Sequence, residues 1–135
     1  MRALGVDLGT TRIGIAVGEK EFGIVTPRPA LKALGKLSLD AETIAAKARD
    51  EGVDLVVLGH PLQPDGSPSR LSGVCEKLAD LIREKGVTVE LQDEAFTSVE
   101  AEQQLNRLDL KGSDKRKARD GEAAAKILER YFAAH

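Results

Sequence analysis

Gly5-Val6-Asp7-Leu8-Gly9-Thr10-Thr11-Arg12-Ile13-Gly14-Ile15-Ala16 is the stretch on which the fold turns. Leu4, Val6 and Leu8 alternate with small or polar residues, Gly9-Thr10-Thr11 interrupts the run, and Ile13, Ile15 and Val17 resume the same period of two. That is the pattern of strand, turn, strand. Asp7 sits inside the first strand between two apolar neighbours, in what should be a central position of a sheet. An uncompensated carboxylate there would cost several kcal/mol. A metal ion, the amides of the following turn, or Arg12 are the available partners; an Asp that merely caps the turn is the plain alternative.

Working outward, Phe22 to Val25 reads as a shorter third strand that leaves the sheet before Pro27 and Pro29. Three strands joined by short turns should be antiparallel. From Asp40, taken as a capping residue, Ile44, Ala45 and Ala48 follow a helical period that ends at Gly52. Val53 to Leu58 is a continuous apolar run, as expected of a strand covered on both faces. A Pro-, Gly- and Ser-rich loop spans residues 61–69. A second helix carries Val74, Leu78, Leu81 and Ile82 toward Gly86, and Val87, Val89 and Leu91 form a fifth strand. Thr97 and Glu100 have capping-box spacing and open a third helix through Leu105; a fourth runs from about Ser113 to about Phe132.

The order predicts an α/β fold: a mixed five-stranded sheet, three antiparallel strands followed by two parallel ones, with helices on both faces. Sites in such sheets form beyond the carboxyl ends of the parallel strands, here near Asp7, Gly59-His60-Pro61 and Asp93-Glu94. With 135 residues, one domain over 1–135 is the expectation. The lone Cys75 makes an internal disulfide impossible and suits a reducing cytoplasm. The N-terminal apolar run is cut by Asp7, so neither a leader nor a membrane span is expected. Four aromatic residues, Phe22, Phe96, Tyr131 and Phe132, are too few for a surface that reads single strands by stacking alone.

The net charge of −2 is unevenly spread, with residues 107–119 carrying six basic side chains against two acidic ones. A basic stripe on an acidic body suits docking a polyanion at one place, although a solvated helix face would look the same. Directly after it, Asp120 extends the apolar stripe of Ala123, Ala124, Ile127, Leu128 and Tyr131 by one turn, so it should face the sheet; a helix N-terminus favouring a carboxylate is the plain alternative. Asp93 or Glu94 supplies a third acid. Strand parity places Asp93 on the face of Val89 and Leu91 and Glu94 on the other, but the twist at a strand end keeps parity from choosing between them. Three carboxylates without His or Cys suit Mg²⁺ or Mn²⁺.

The opening stretch, the loop Gly59-His60-Pro61-Leu62 with Asp65-Gly66-Ser67, Asp93-Glu94 followed by Thr97 and Val99-Glu100-Ala101, and Lys115-Arg116-Lys117 before Asp120-x-x-Ala123-Ala124-x-x-Ile127-Leu128 resemble the YqgF family, also called RuvX. The resemblance covers the whole chain with four motifs in register. It implies a ribonuclease H-like fold and a nuclease that hydrolyses phosphodiester bonds with Mg²⁺ or Mn²⁺. It further implies cytoplasmic work on nucleic acid, in 5′-end maturation of small-subunit precursor ribosomal RNA, or as a Holliday junction resolvase on branched DNA. Carried over by position, the catalytic and metal-binding triad is Asp7, Glu94 and Asp120, with Arg12, Lys115, Arg116 and Lys117 contacting substrate, in a monomer or homodimer. Ala95, His60 and Arg119 depart from the family's usual residues; His60 reads most simply as an exposed loop histidine. Two other readings remain. Asp-x-Gly-Thr turns also hold phosphate in sugar kinases and actin-like ATPases, but those close two such domains around a nucleotide. A non-catalytic nucleic-acid-binding module would bind without regard to divalent metal.

Overall fold

Alternation at Leu4, Val6, Leu8 and at Ile13, Ile15, Val17 gives two strands whose branched side chains point the same way. They form β1 (Arg2–Leu8) and β2 (Arg12–Glu19), paired antiparallel with Asp7 opposite Gly14 and Leu8 opposite Ile13. The amide of Gly9 closes the turn onto the carbonyl of Arg12 at 2.9 Å. A Cβ on Gly9 would stand 2.6 Å from that carbonyl oxygen, so the tight turn requires glycine. The computed structural model describes residues 1–93 and 112–135, with backbone alone for 112–120.

After a short 3₁₀ turn (Lys20–Phe22) come β3 (Ile24–Lys32), α1 (Leu37–Glu51), β4 (Leu55–His60), α2 (Arg70–Arg83), β5 (Val89–Asp93) and α3 (Gly112–Ala134). The sheet order is β3-β2-β1-β4-β5. β1 pairs with β4, and β4 with β5, in parallel. The expected mixed sheet is present, and β1, which carries Asp7, is its middle strand.

One face of the sheet presents Leu4, Val6, Leu8, Ile13, Ile15, Val17, Val56 and Leu58 to α1 and α2, which contribute Ile44, Ala48, Leu78 and Ile82. The other face presents Ala3, Ala16, Leu55 and Val57 to Ala124, Ile127, Leu128 and Tyr131 of α3. Every strand in the middle of the sheet is therefore apolar on both sides.

Three expectations need correcting. β3 does not leave the sheet before the prolines but runs through Pro27 and Pro29 to Lys32. It is an edge strand, where a missing N–H on the outer side breaks no ladder bond, and a register shift between Ile13 and Ile15 accommodates the pair. Asp40 does not cap α1, which begins three residues earlier. It lies buried in the first turn, where its Oδ1 accepts the Leu34 amide at 2.8 Å and ties the incoming loop to the helix. α2 stops at Arg83 rather than Gly86; its start is the capping box of Ser69 and Ser72. The helix expected at Thr97–Leu105 lies outside the described residues.

Candidate active site

Residues Ala3, Gly5 and Asp7 alternate away from the α1–α2 core and so share the face covered by α3. Asp7 is half-buried at the carboxyl end of β1. Its neighbour across the β1–β2 ladder is Gly14, and Gly59 follows Leu58, the β4 partner of Val6. Glycines therefore flank Asp7 on both neighbouring strands. This pair of glycines is a feature the sequence reading missed. Its signal was there: glycine inside a strand often marks close approach of a ligand or another backbone.

α3 lies close on this face because glycines admit it. A Cβ on Gly5 would be 2.7 Å from the Ala124 carbonyl oxygen and 2.7 Å from Leu128 Cγ, and one on Gly18 would be 2.8 Å from Phe132 Cε2. From the other side, a Cβ on Gly121 would be 2.8 Å from Pro27 Cβ. Since Gly18 pairs with Ala3, these contacts show α3 running antiparallel to β1, with Phe132 at its amino end and Ala124 beside Gly5. Moving toward the start of α3 therefore moves along β1 toward Asp7, and residue 120 is one turn before Ala124. Lys115, Arg116 and Lys117 occupy the first two turns of the same helix. Of these four residues only the backbone is described.

β5 has a defined parity. Val89 and Leu91 pack into the α1–α2 core, whereas Glu90 reaches the α3 face and accepts the Tyr131 hydroxyl at 2.6 Å. Asp93 then falls on the α1–α2 side, beside His60 in register. Glu94 lies outside the described residues, as do Ala95 and the basic residues Arg107 and Lys111. Among the described residues no three His, Cys, Asp or Glu groups are gathered tightly enough to hold a metal.

Arg12 opens β2, half-buried, and pairs in register with Lys32 of β3. Ile13 faces the α1–α2 core, so Arg12 is on the α3 face with Asp7. The Gly9 amide, which could have capped Asp7, is used on the Arg12 carbonyl instead. His60 is not an exposed loop residue. It ends β4, and its Nε2 lies 3.0 Å from Glu76 Oε2 of α2, on the face opposite Asp7. The loop that follows is internally bonded: Ser67 donates its amide and hydroxyl to Asp65 Oδ1 at 2.9 and 2.6 Å, and those bonds hold the Asp65 carboxyl below its ordinary range. Ser69 Oγ donates to the Pro61 carbonyl, closing the loop.

Comparison with known proteins adds the following. Residues 1–134 match the family model described as RuvX, Holliday junction resolvase. A protein of Myxococcus xanthus named "Putative pre-16S rRNA nuclease" is 38% identical over 140 residues, covering 100% of this chain and 89% of that protein. A Thermus thermophilus protein of the same name is 35% identical over 133 residues, covering 98% of each. Among solved structures, T. thermophilus RuvC in complex with a Holliday junction substrate superposes with a TM-score of 0.57 at 15% identity, covering 99% of this chain and 95% of that one. At that identity the likeness speaks for the fold, a ribonuclease H-like one.

Proposed function

The chain belongs to the RuvX family, and from that premise we propose that it is a nuclease hydrolysing phosphodiester bonds with a divalent metal ion, in 5′-end maturation of small-subunit precursor ribosomal RNA. The observation that carries this reading is Asp7 at the carboxyl end of the middle strand, flanked by glycines, under a helix whose close seat on Gly5 directs its first turns toward that end. Asp7 is half-buried on the α3 face, whereas His60 pairs with Glu76 on the other face and stands away from it. The donor set is therefore all oxygen, which fits Mg²⁺ or Mn²⁺ and not a soft metal.

Asp7, Glu94 and Asp120 would hold the metal. Glu94 is favoured over Asp93 because β5 turns Asp93 to the α1–α2 side with Val89 and Leu91. When bound, the ion would acidify an attacking water and neutralise charge building on the phosphate. The chain's own residues bind and orient the strand. Arg12 shares the face of Asp7 and would hold the phosphate next to the cut. Lys115, Arg116 and Lys117, in the turns before Asp120, would grip phosphates further along. Reading phosphates alone carries no sequence information.

The test is cleavage by purified protein, with and without Mn²⁺, of end-labelled precursor ribosomal RNA and of a four-way DNA junction. Metal-dependent cutting of the RNA near its mature 5′ end supports the reading. Paired symmetric cuts in the junction alone would favour the resolvase that the family description names. Binding without cleavage in any divalent metal would leave a non-catalytic module.

A further inference from the structure

On the face of the sheet opposite Asp7, a cleft of about 340 Å³ opens behind the β1–β2 turn. Leu8, Gly9 and Thr10, the residues directly after Asp7, form one wall; Ala33, Gly35 and Leu37 form a second; Leu71 and Val74 of α2 form a third. The volume is at the small end of the range for ligand sites, about 300–1,000 Å³. Among the described residues its lining is apolar apart from exposed Thr10 and from Asp40, which is only 4% exposed. A carboxylate offers about four acceptor positions, and the bond to Leu34 engages Oδ1. In the sequence, exposed Lys36 stands between Gly35 and Leu37, and exposed Arg70 directly precedes Leu71.

Largely apolar walls, a buried acceptor among them and two exposed cations next in sequence to wall residues complement one chemical object: a flat base with donor groups on its edge, attached to phosphates that stay outside. We propose that this cleft receives one unpaired base of the substrate strand, at a fixed offset from the cut. The inference rests on the nuclease reading for the identity of that strand and adds what the carboxylates do not supply. Acids and basic side chains engage any phosphodiester, whereas a processing enzyme that must stop at one place needs a group that reads a base. A strand lying across Asp7 and over the Gly9–Thr11 turn delivers its next nucleotides to the cleft. There the base is enclosed by aliphatic side chains, and Asp40 accepts from its edge, so amino-bearing bases are preferred to uracil. Lys36 and Arg70 meet the flanking phosphates.

The experiment measures binding in EDTA, where no cut occurs, of single-stranded RNAs in which each position in turn is made abasic or changed to uracil. At one position the abasic change should weaken binding roughly tenfold, and uracil should weaken it several-fold. Leu71→Trp, at a residue 41% exposed and so tolerant of a larger side chain, should fill the cleft and reduce both effects to less than about twofold. Asp40→Asn keeps an acceptor for Leu34 but turns a donor toward the base, and should reverse the preference toward uracil. The proposal is overturned if no position is sensitive, if the sensitivity survives unchanged in both variants, or if a free mononucleotide competes as well as the strand. Because these measurements need no catalysis, absence of cleavage in Mn²⁺ would remove the nuclease reading while leaving a base-reading cleft in place.

Discussion

Asp7 is the residue on which the proposed chemistry depends, and its substitution separates a functional carboxylate from a structural one. Asp7→Asn, Glu94→Gln and Asp120→Asn each remove a negative ligand at nearly constant volume. Each should lower metal-dependent cleavage by more than the 10–100-fold that follows loss of an outer-shell partner, with circular dichroism unchanged. If Asp7 is the central ligand of the proposed triad, Asp7→Asn without metal should melt at the wild-type temperature or above it, since the change would relieve carboxylate repulsion. Full cleavage by any one variant removes that residue from the triad. At the opposite end of α3, burial first and then the Glu90 carboxylate push the Tyr131 hydroxyl up to about 12. A raised acid contributes stability in full below its unfolded value near 10 and loses it as pH climbs through the folded one. Wild-type protein should therefore weaken between about pH 10 and 12 more steeply than Tyr131→Phe, a comparison made by denaturant unfolding at each pH. Equal slopes would show that the hydroxyl ionises as easily folded as unfolded.

Among the elements, the seat of α3 on β1 decides whether residues from helix and strand can share a site. Gly5→Ala drives a methyl against the Ala124 carbonyl oxygen, which is backbone and cannot rotate away. The expected cost is about 1–3 kcal/mol by thermal melting, with cleavage falling further than stability because the helix is displaced from Asp7. Unchanged melting and activity would mean that α3 yields freely. A second joint is Glu51, which ends α1 and meets Arg2 of β1 at 3.0 Å, Arg28 of β3 at 3.3 Å and Lys47 at 3.3 Å. Burial raises its carboxyl, but hydrogen bonds from Lys47 and Arg28 and their charges outweigh that and hold it below the usual range. A depressed acid contributes stability above its unfolded value and loses it as pH falls through the folded one. Glu51→Gln should therefore destabilise the protein at pH 7 and flatten its loss of stability below about pH 4.5, which acid titration of the unfolding midpoint reads directly.

At the level of the whole molecule, an acidic body carries one basic stripe before Asp120, so attraction to nucleic acid should be local and salt-dependent. Each phosphate contact on a single strand contributes about −0.7 to the slope of log K against log salt. Neutralising Lys115, Arg116 and Lys117 together should flatten that slope by roughly 1.4 to 2.1, while metal dependence is retained because the carboxylates are untouched. A wild-type slope in the triple variant would make the stripe a solvated helix face and turn attention to the loop at residues 61–69 as the approach for substrate.

Much of this protein was legible before folding was considered. Period-two alternation through Leu4–Leu8 and Ile13–Val17, the apolar run at Val53–Leu58 and the helical stripe from Ala124 to Tyr131 follow from local chemistry, and they determined the mixed sheet with helices on both faces. Asp7 stood out for the same reason, a charge where the pattern demands an apolar or small residue. What local pattern cannot carry is which neighbour lies across the ladder. Pro27 and Pro29 read as the end of a strand, and only the sheet order, which puts β3 at an edge with its outer amides unneeded, lets the strand run on to Lys32. Asp40 reads as a cap, and only packing shows it buried in the lining of a cleft. His60 reads as loop until Glu76 is found beside it. Parity alone puts Asp93 on the face of Val89 and Leu91, but which helices cover that face is seen only when Glu90 meets Tyr131, 41 residues away along the chain. Elements arise from interactions within a few residues, whereas faces, edges and clefts arise from contacts between residues far apart in the chain, which no local period encodes.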